Sequence, residues 1–291
     1  MSRRGWLLFT VMCLVWGIPY LLIKIAVQGV PVSVLVFART AGGAIVLLPL
    51  AVRAGGWSAL RRHWVPLTAF AVAEVIGPWW LLSDAERRLP SSLTGLLIAA
   101  VPIVGVVLAR LTGDTERLGA VRWGGLVVGL AGVMLLALPD LGGGNGLAML
   151  EMMLVVLGYA TAPLIAARGL ATVPNLPMTV ACLGLAAVVY APPAVVSWPR
   201  ELPSGPVLAA LVGLALICTA VAFLAYFALI REVGPSRAMV FTYVNPAVAV
   251  AAGVTLLDEP LTGLMLCAFV LILGGCVLAT LRQRHRRPQH V

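Results

Sequence analysis

Four ionisable side chains stand within long apolar runs of the chain: Lys24, Arg39, Glu74 and Glu151. A charge at mid-helix in a bilayer costs roughly 2.5–3.5 kcal/mol on insertion scales, so each is a functional suspect. Glu74 is the deepest, with apolar or small residues on both sides apart from Thr68 and the Gly77-Pro78 break. A carboxyl at that depth can take up and release a proton; it can equally be a packing group satisfied by a hydroxyl or by Arg39. Glu151 lies one turn inside its run, where an interfacial, snorkelling role competes with a cavity role. Arg39 is too deep to snorkel, so it calls for a carboxylate, Glu74 or Glu151, or for an anionic group on a bound molecule. Lys24 follows Tyr20 by four residues and Trp16 by eight, which puts all three on one helical face. Such a stripe is expected to line a wet cavity, against the plainer reading in which Lys24 snorkels to the surface and Trp16 packs.

Aromatic and amide residues form a second set. Phe223, Tyr226 and Phe227 recur at helical spacing, and Tyr243 precedes Asn245-Pro246. Walls of this kind accept amphiphilic or cationic organic solutes by stacking and cation–π attraction. Trp79-Trp80 reads instead as an interfacial belt. Pro102 and Pro246 interrupt apolar runs and are candidate hinges, since irregular backbone at membrane depth is tolerated where it lines a cavity or is buried. Asp258-Glu259-Pro260 has a structural reading, as acids and a proline at a helix start.

The elements that must hold these residues follow from composition. The chain has 291 residues, 61% hydrophobic and 11% charged, with a mean hydropathy of +1.04. Soluble domains run at about 45–50% apolar and about 25% charged, so a soluble fold is excluded. Ten runs reach helix-spanning length: 5–27, 32–52, 64–83, 91–111, 120–138, 147–167, 177–197, 206–230, 237–257 and 263–281. The first is too long for a signal-peptide core and is read as a retained helix. The five cysteines all fall in these runs and read as packing residues.

The net charge of +9 is almost all arginine and sits in the short gaps. That disposition sets nucleic acid aside and suits an orientation signal. Arg87, Arg88 and Arg200 fall in one set of alternate loops, Lys24 and Arg39 in spans, and the other basic residues of the 20 in the opposite set. By the positive-inside rule both termini are cytoplasmic, and the Arg282–Arg287 cluster is a contact for anionic lipid.

The sequence repeats itself. Leu89-Pro90-Ser91-Ser92, Val101-Pro102, Glu116-Arg117-Leu118-Gly119 and Ala131-Gly132-Val133 return in order as Gly234-Pro235-Ser236-Arg237, Asn245-Pro246, Glu259-Pro260-Leu261-Thr262-Gly263 and Gly274-Gly275-Cys276. The expected organisation is a five-helix unit over 1–139, a glycine-rich linker at 140–146, a second unit over 147–281 and a basic tail at 282–291. Because five is odd, the second unit enters the membrane inverted. The expected fold is thus an all-α polytopic membrane protein whose ten helices form two inverted repeats around a central cavity, an architecture recurrent in secondary transporters.

Trp16-Gly17-x-x-Tyr20-x-x-x-Lys24 resembles the opening of the EamA domain. Arg39, the Pro-Ser entries to the fourth and ninth helices, Pro102, Pro246 and Glu259-Pro260-Leu261 also match its pattern. The likeness covers nearly the whole chain as two tandem units and is similar to the drug/metabolite transporter superfamily. Two departures stand out: Gly158-Tyr159 replaces the usual aromatic-small opening of the second unit, and Glu74 is not part of the pattern; Tyr159 is counted among the candidate binding residues. The resemblance implies export of amino acids, metabolites or toxic organic compounds.

The motifs absent narrow the energetics. No Gly-x-x-x-x-Gly-Lys phosphate loop is present, no Asp lies within a span, and His63, His285 and His290 lie outside the spans. The expectation is a secondary active exporter of small organic solutes in the bacterial inner membrane, without a cofactor and without catalysis, with protons as coupling ion through Glu74 or Glu151. The alternative is a passive channel, scramblase or sensor; an intramembrane enzyme is disfavoured. The expected partners are a small-molecule substrate and membrane lipids. The sequence leaves the oligomeric state open.

Overall fold

The computed structural model describes residues 1–113 and 119–280. Glu116-Arg117-Leu118 of the repeat and the basic tail at 282–291 lie outside the described residues. All ten apolar runs become helices: α1 (Arg3–Ala26), α2 (Val32–Ala54), α3 (Trp64–Ala85), α4 (Ser91–Leu111), α5 (Ala120–Gly142), α6 (Gly146–Gly169), α7 (Asn175–Val196), α8 (Gly205–Val233), α9 (235–256) and α10 (Gly263–Thr280). With no water to receive backbone N–H and C=O groups in hydrocarbon, helices satisfy them internally. Helix α3 runs two residues further than expected and takes in Asp84, which corrects the reading that no Asp lies within a span.

Five helices are interrupted, and proline accounts for four of the breaks. Segments restart at Pro19 in α1, Pro78 in α3, Pro102 in α4 and Pro246 in α9, each within the first two residues of its new segment. There the missing N–H has no partner to lose and the fixed φ suits a helix start. In α3 and α8 the backbone also widens into π-turns, at Val72–Ile76 and Gly213–Val221. These are equivalent helices of the two repeats. Nothing in the hydrophobic period marks a π-turn, since it inserts one residue without changing the apolar character of the run. Such turns are frequently found at functional sites.

The halves interlock rather than sit side by side. Helix α2 packs on α7, α4 on α9 and α5 on α10, while α1 on α8 is matched by α3 on α6. Exchanging the two halves maps this set of pairings onto itself, as a pseudo-two-fold axis requires. Interactions among the turns sort onto two faces. Ser2 bonds Glu232 and Arg168 bonds Thr112 at the N-terminal face, whereas Ser33 bonds Ser197 and Ser91 bonds Glu259 at the far face. The α5–α10 seam is closed by small residues: a Cβ on Gly275 would strike the backbone of Gly129, and one on Gly125 would lie 2.5 Å from Ala279 N. Without a hydrophobic drive between helices in lipid, such backbone approach is what makes them associate.

Candidate functional site

Arg39 is 6% exposed in the middle of α2. Its Nε donates to Thr219 Oγ1 at 3.2 Å, and the Thr219 hydroxyl donates to Leu214 O at 2.8 Å, five residues back, as the π-turn of α8 allows. Glycine at 43 makes room, since a Cβ there would lie 2.5 Å from Thr219 Cγ2. The guanidinium lies 3.6 Å from the centroid of the Trp79 ring, a cation–π contact that gains strength when desolvated. Tyr20, Tyr159 and Glu86 are in electrostatic reach. Arg39 makes no ion pair among the described residues, so the expected pairing with Glu74 or Glu151 is not formed. Trp79, 7% exposed, is a floor for this cation and not part of an interfacial belt.

Glu74 stands half-buried on the π-turn of α3. It has no ion pair and no hydrogen bond among the described residues, and it interacts electrostatically with Tyr159, Cys182 and Tyr226. Tyr159 is thus within electrostatic reach of groups of opposite sign, Glu74 and Arg39. This convergence of α2, α3, α6 and α8 draws on both repeats.

The remaining charges are placed differently. Glu151 accepts from Arg88 at 2.5 Å, tying the start of α6 to the α3–α4 turn, and Arg88 also reaches Asp84 at 2.7 Å. Lys24 Nζ donates to the carbonyls of Glu86 and Leu89 at 2.6 and 2.8 Å. It clamps the same turn.

The aromatic set divides. Trp16 meets Phe223 edge-on at 5.8 Å and lies 5.2 Å from Tyr226 and 5.3 Å from Phe241. Phe227 extends the group through Phe223 at 6.1 Å. These rings fill the space between α1, α8 and α9 with one another. Tyr243 is partly buried against the main core. Asn245, with its amide turned to suit its neighbours, donates to Phe241 O at 3.1 Å and Cys13 O at 3.3 Å. It thus joins the break in α9, at Pro246, to the break in α1. Helix α4 breaks at Ala99-Ala100, just before Pro102.

A cavity of about 410 Å³ opens at the far face, lined by Val27–Ser33, Trp80, Asp84 and Arg87. Trp80 stacks on Tyr190 at 5.4 Å and 6°, and the Tyr190 hydroxyl donates to Ile76 O at 2.6 Å, at the end of the α3 π-turn. The sequence reading missed Tyr190, Thr219 and Glu86. The first two are single polar groups in apolar runs with no periodic signal, and Glu86 reads as a loop acid until the turn is seen to fold inward.

These features define an inverted-repeat helical membrane protein in which, among the described residues, the buried Arg39 and Glu74 form no ion pair. The EamA-like transporter family model matches residues 3–138 and 146–281, and the chain belongs to that family. It is 30% identical over 279 residues to the uncharacterized inner membrane transporter YedA of Escherichia coli K12, covering 92% of this chain and 88% of the relative, and equally to YedA of Escherichia coli O6:H1. A solved crystal structure at 24% identity shares the fold with a TM-score of 0.67, over 96% of this chain and 98% of that one.

Proposed function

We propose that the chain is a secondary active transporter that exports a small organic solute by alternating access, driven by protons, in the bacterial inner membrane with both termini cytoplasmic. The observation that carries this reading is Arg39: a buried guanidinium with no ion pair among the described residues, floored by Trp79 and within electrostatic reach of Tyr20, Tyr159 and the Glu86 carboxyl. A buried charge left without a partner is costly, and an anionic group of a solute would relieve that cost. Glu74, without an ion-pair partner among the described residues and within electrostatic reach of the same Tyr159, is the carboxyl suited to exchange a proton or to meet a cationic group. The family, the relatives and the excess of arginine on the N-terminal face support the reading.

Reconstituted vesicles provide the test. Uptake of labelled amino acids, organic acids and organic cations is followed under an imposed pH gradient, with unlabelled solute on the trans side. Saturable flux with trans exchange is expected, and Glu74→Gln abolishes its pH dependence without loss of membrane insertion. Non-saturating flux without exchange overturns the carrier reading, and unaltered proton-driven flux in the variant removes Glu74 from coupling.

A further inference from the structure

The α3–α4 turn buries a carboxyl that the central site does not use. Glu86 is 0% exposed. One oxygen accepts from Thr94 Oγ1 at 2.9 Å, and the other, Oε2, has no hydrogen-bond partner among the described residues. Its cationic neighbour Lys24 is committed to backbone carbonyls. An ionised carboxylate with a bare oxygen in such a place is disfavoured, and protonation removes the buried charge that makes it costly.

Beside it sits a carboxylate from the other repeat. Glu259 accepts from Ser91 N at 2.7 Å, Ser91 Oγ at 2.9 Å and Ser92 N at 2.9 Å. It supplies the cap that Pro90, preceding α4, does not provide. The placement is built in. Asp258, immediately before Glu259, has φ +53°, left-handed for a residue with a side chain. Gly253 leaves room for the carboxylate, which a Cβ there would strike. The two acids are driven apart: burial holds Glu86 well above the usual carboxylate range against the Thr94 hydrogen bond and the Lys24 charge. Burial alone would raise Glu259 as well, but hydrogen bonds from Ser92 and Ser91 outweigh it and hold Glu259 below its ordinary value. Neighbouring acids separated in this way mark a protonated and an ionised partner.

We infer that Glu86 is a proton-binding site that governs whether Glu259 stays seated on the first turn of α4, and so whether the two repeats are latched at the far face. With the proton on, Glu86 is neutral beside the Glu259 carboxylate. With it off, a second anion faces Glu259 and competes with the backbone carbonyls for Lys24, and the cap is released. The groups facing Glu86 are Lys24 and Tyr20 from α1, Arg39 from α2, Thr94 from α4 and Glu259 from the α9–α10 turn. Because the latched arrangement holds the proton more tightly than a hydrated carboxyl does, raising the pH favours release. The inference extends the proposed proton coupling to a second carboxyl, yet its test requires no transport.

Hydrogen–deuterium exchange of the purified full-length chain, read on peptides covering 86–98 and corrected for intrinsic rates, provides that test. Protection of the Ser91 and Ser92 amides is expected to fall with rising pH, by up to about tenfold per pH unit, the limit for one linked proton. Glu86→Gln, permanently neutral with an acceptor still facing Thr94, is expected to stay protected at every pH. Glu259→Gln is expected to lose protection throughout and to flatten the profile even if Glu86→Gln does not fold. A flat wild-type profile, a slope that survives in either variant, or dependence on sodium in place of pH overturns the assignment.

Discussion

Lys24 Nζ bonds the carbonyl oxygens of Glu86 and Leu89, and not the carboxyl of Glu86 that lies beside it. A cation that reads from sequence as part of a cavity stripe is, in the folded chain, a clamp that fixes the α3–α4 turn to the end of α1. Arg39 is the cation to which the proposed mechanism assigns the solute. Its position decides which variants should disturb recognition and which should disturb the fold.

Arg39→Gln is expected to weaken binding of carboxylate-bearing solutes by roughly ten- to a hundredfold, since a hydrogen bond to a charged group contributes about 1.5–3 kcal/mol. Arg39→Lys is expected to fall between, because an ammonium lacks the planar fork and the stacking surface that rest on Trp79. Calorimetric titration of matched pairs, each acid against its amide, checks this. Equal losses for acid and amide would remove the anion-anchoring role.

Trp16→Ala is expected to cost about 3 kcal/mol of stability, in line with truncating a large aromatic in a packed cluster, because its ring contacts are with Phe223, Tyr226 and Phe241. Thermal unfolding in detergent should show a lowered midpoint, with Trp16→Phe milder. An unchanged midpoint with lost solute affinity would return Trp16 to a cavity wall.

Gly275→Ala is expected to destabilise the chain by about 1–3 kcal/mol as overpacking, since the added methyl meets the backbone of Gly129 and not a side chain that can yield. Gly274→Ala, whose methyl meets nothing within 4 Å, is the matched control and is expected to be nearly neutral. Similar unfolding midpoints for the pair would show that α5 and α10 separate more readily than their contact implies.

The spans were legible because bilayer thickness writes itself into run length: Ser91–Leu111 is recovered residue for residue. The inverted repeat was legible because proline and glycine mark the same bends twice, as Pro102 and Pro246 do at the start of matched segments. The partners of the buried charges were not legible. Arg39 meets an aromatic face and a threonine hydroxyl from 180 residues away in sequence, and no local pattern encodes which of several hydroxyls faces a guanidinium. Glu86 was overlooked for a related reason, since burial of a turn depends on what the other half lays over it.

Asn245 has a mechanical corollary. Its amide grips the carbonyl ends exposed at two interruptions, one contributed by each copy of the duplicated unit. A side chain of the second copy thus tethers the two interruptions to one another, so that neither helix end can shift there without breaking an amide hydrogen bond to the other.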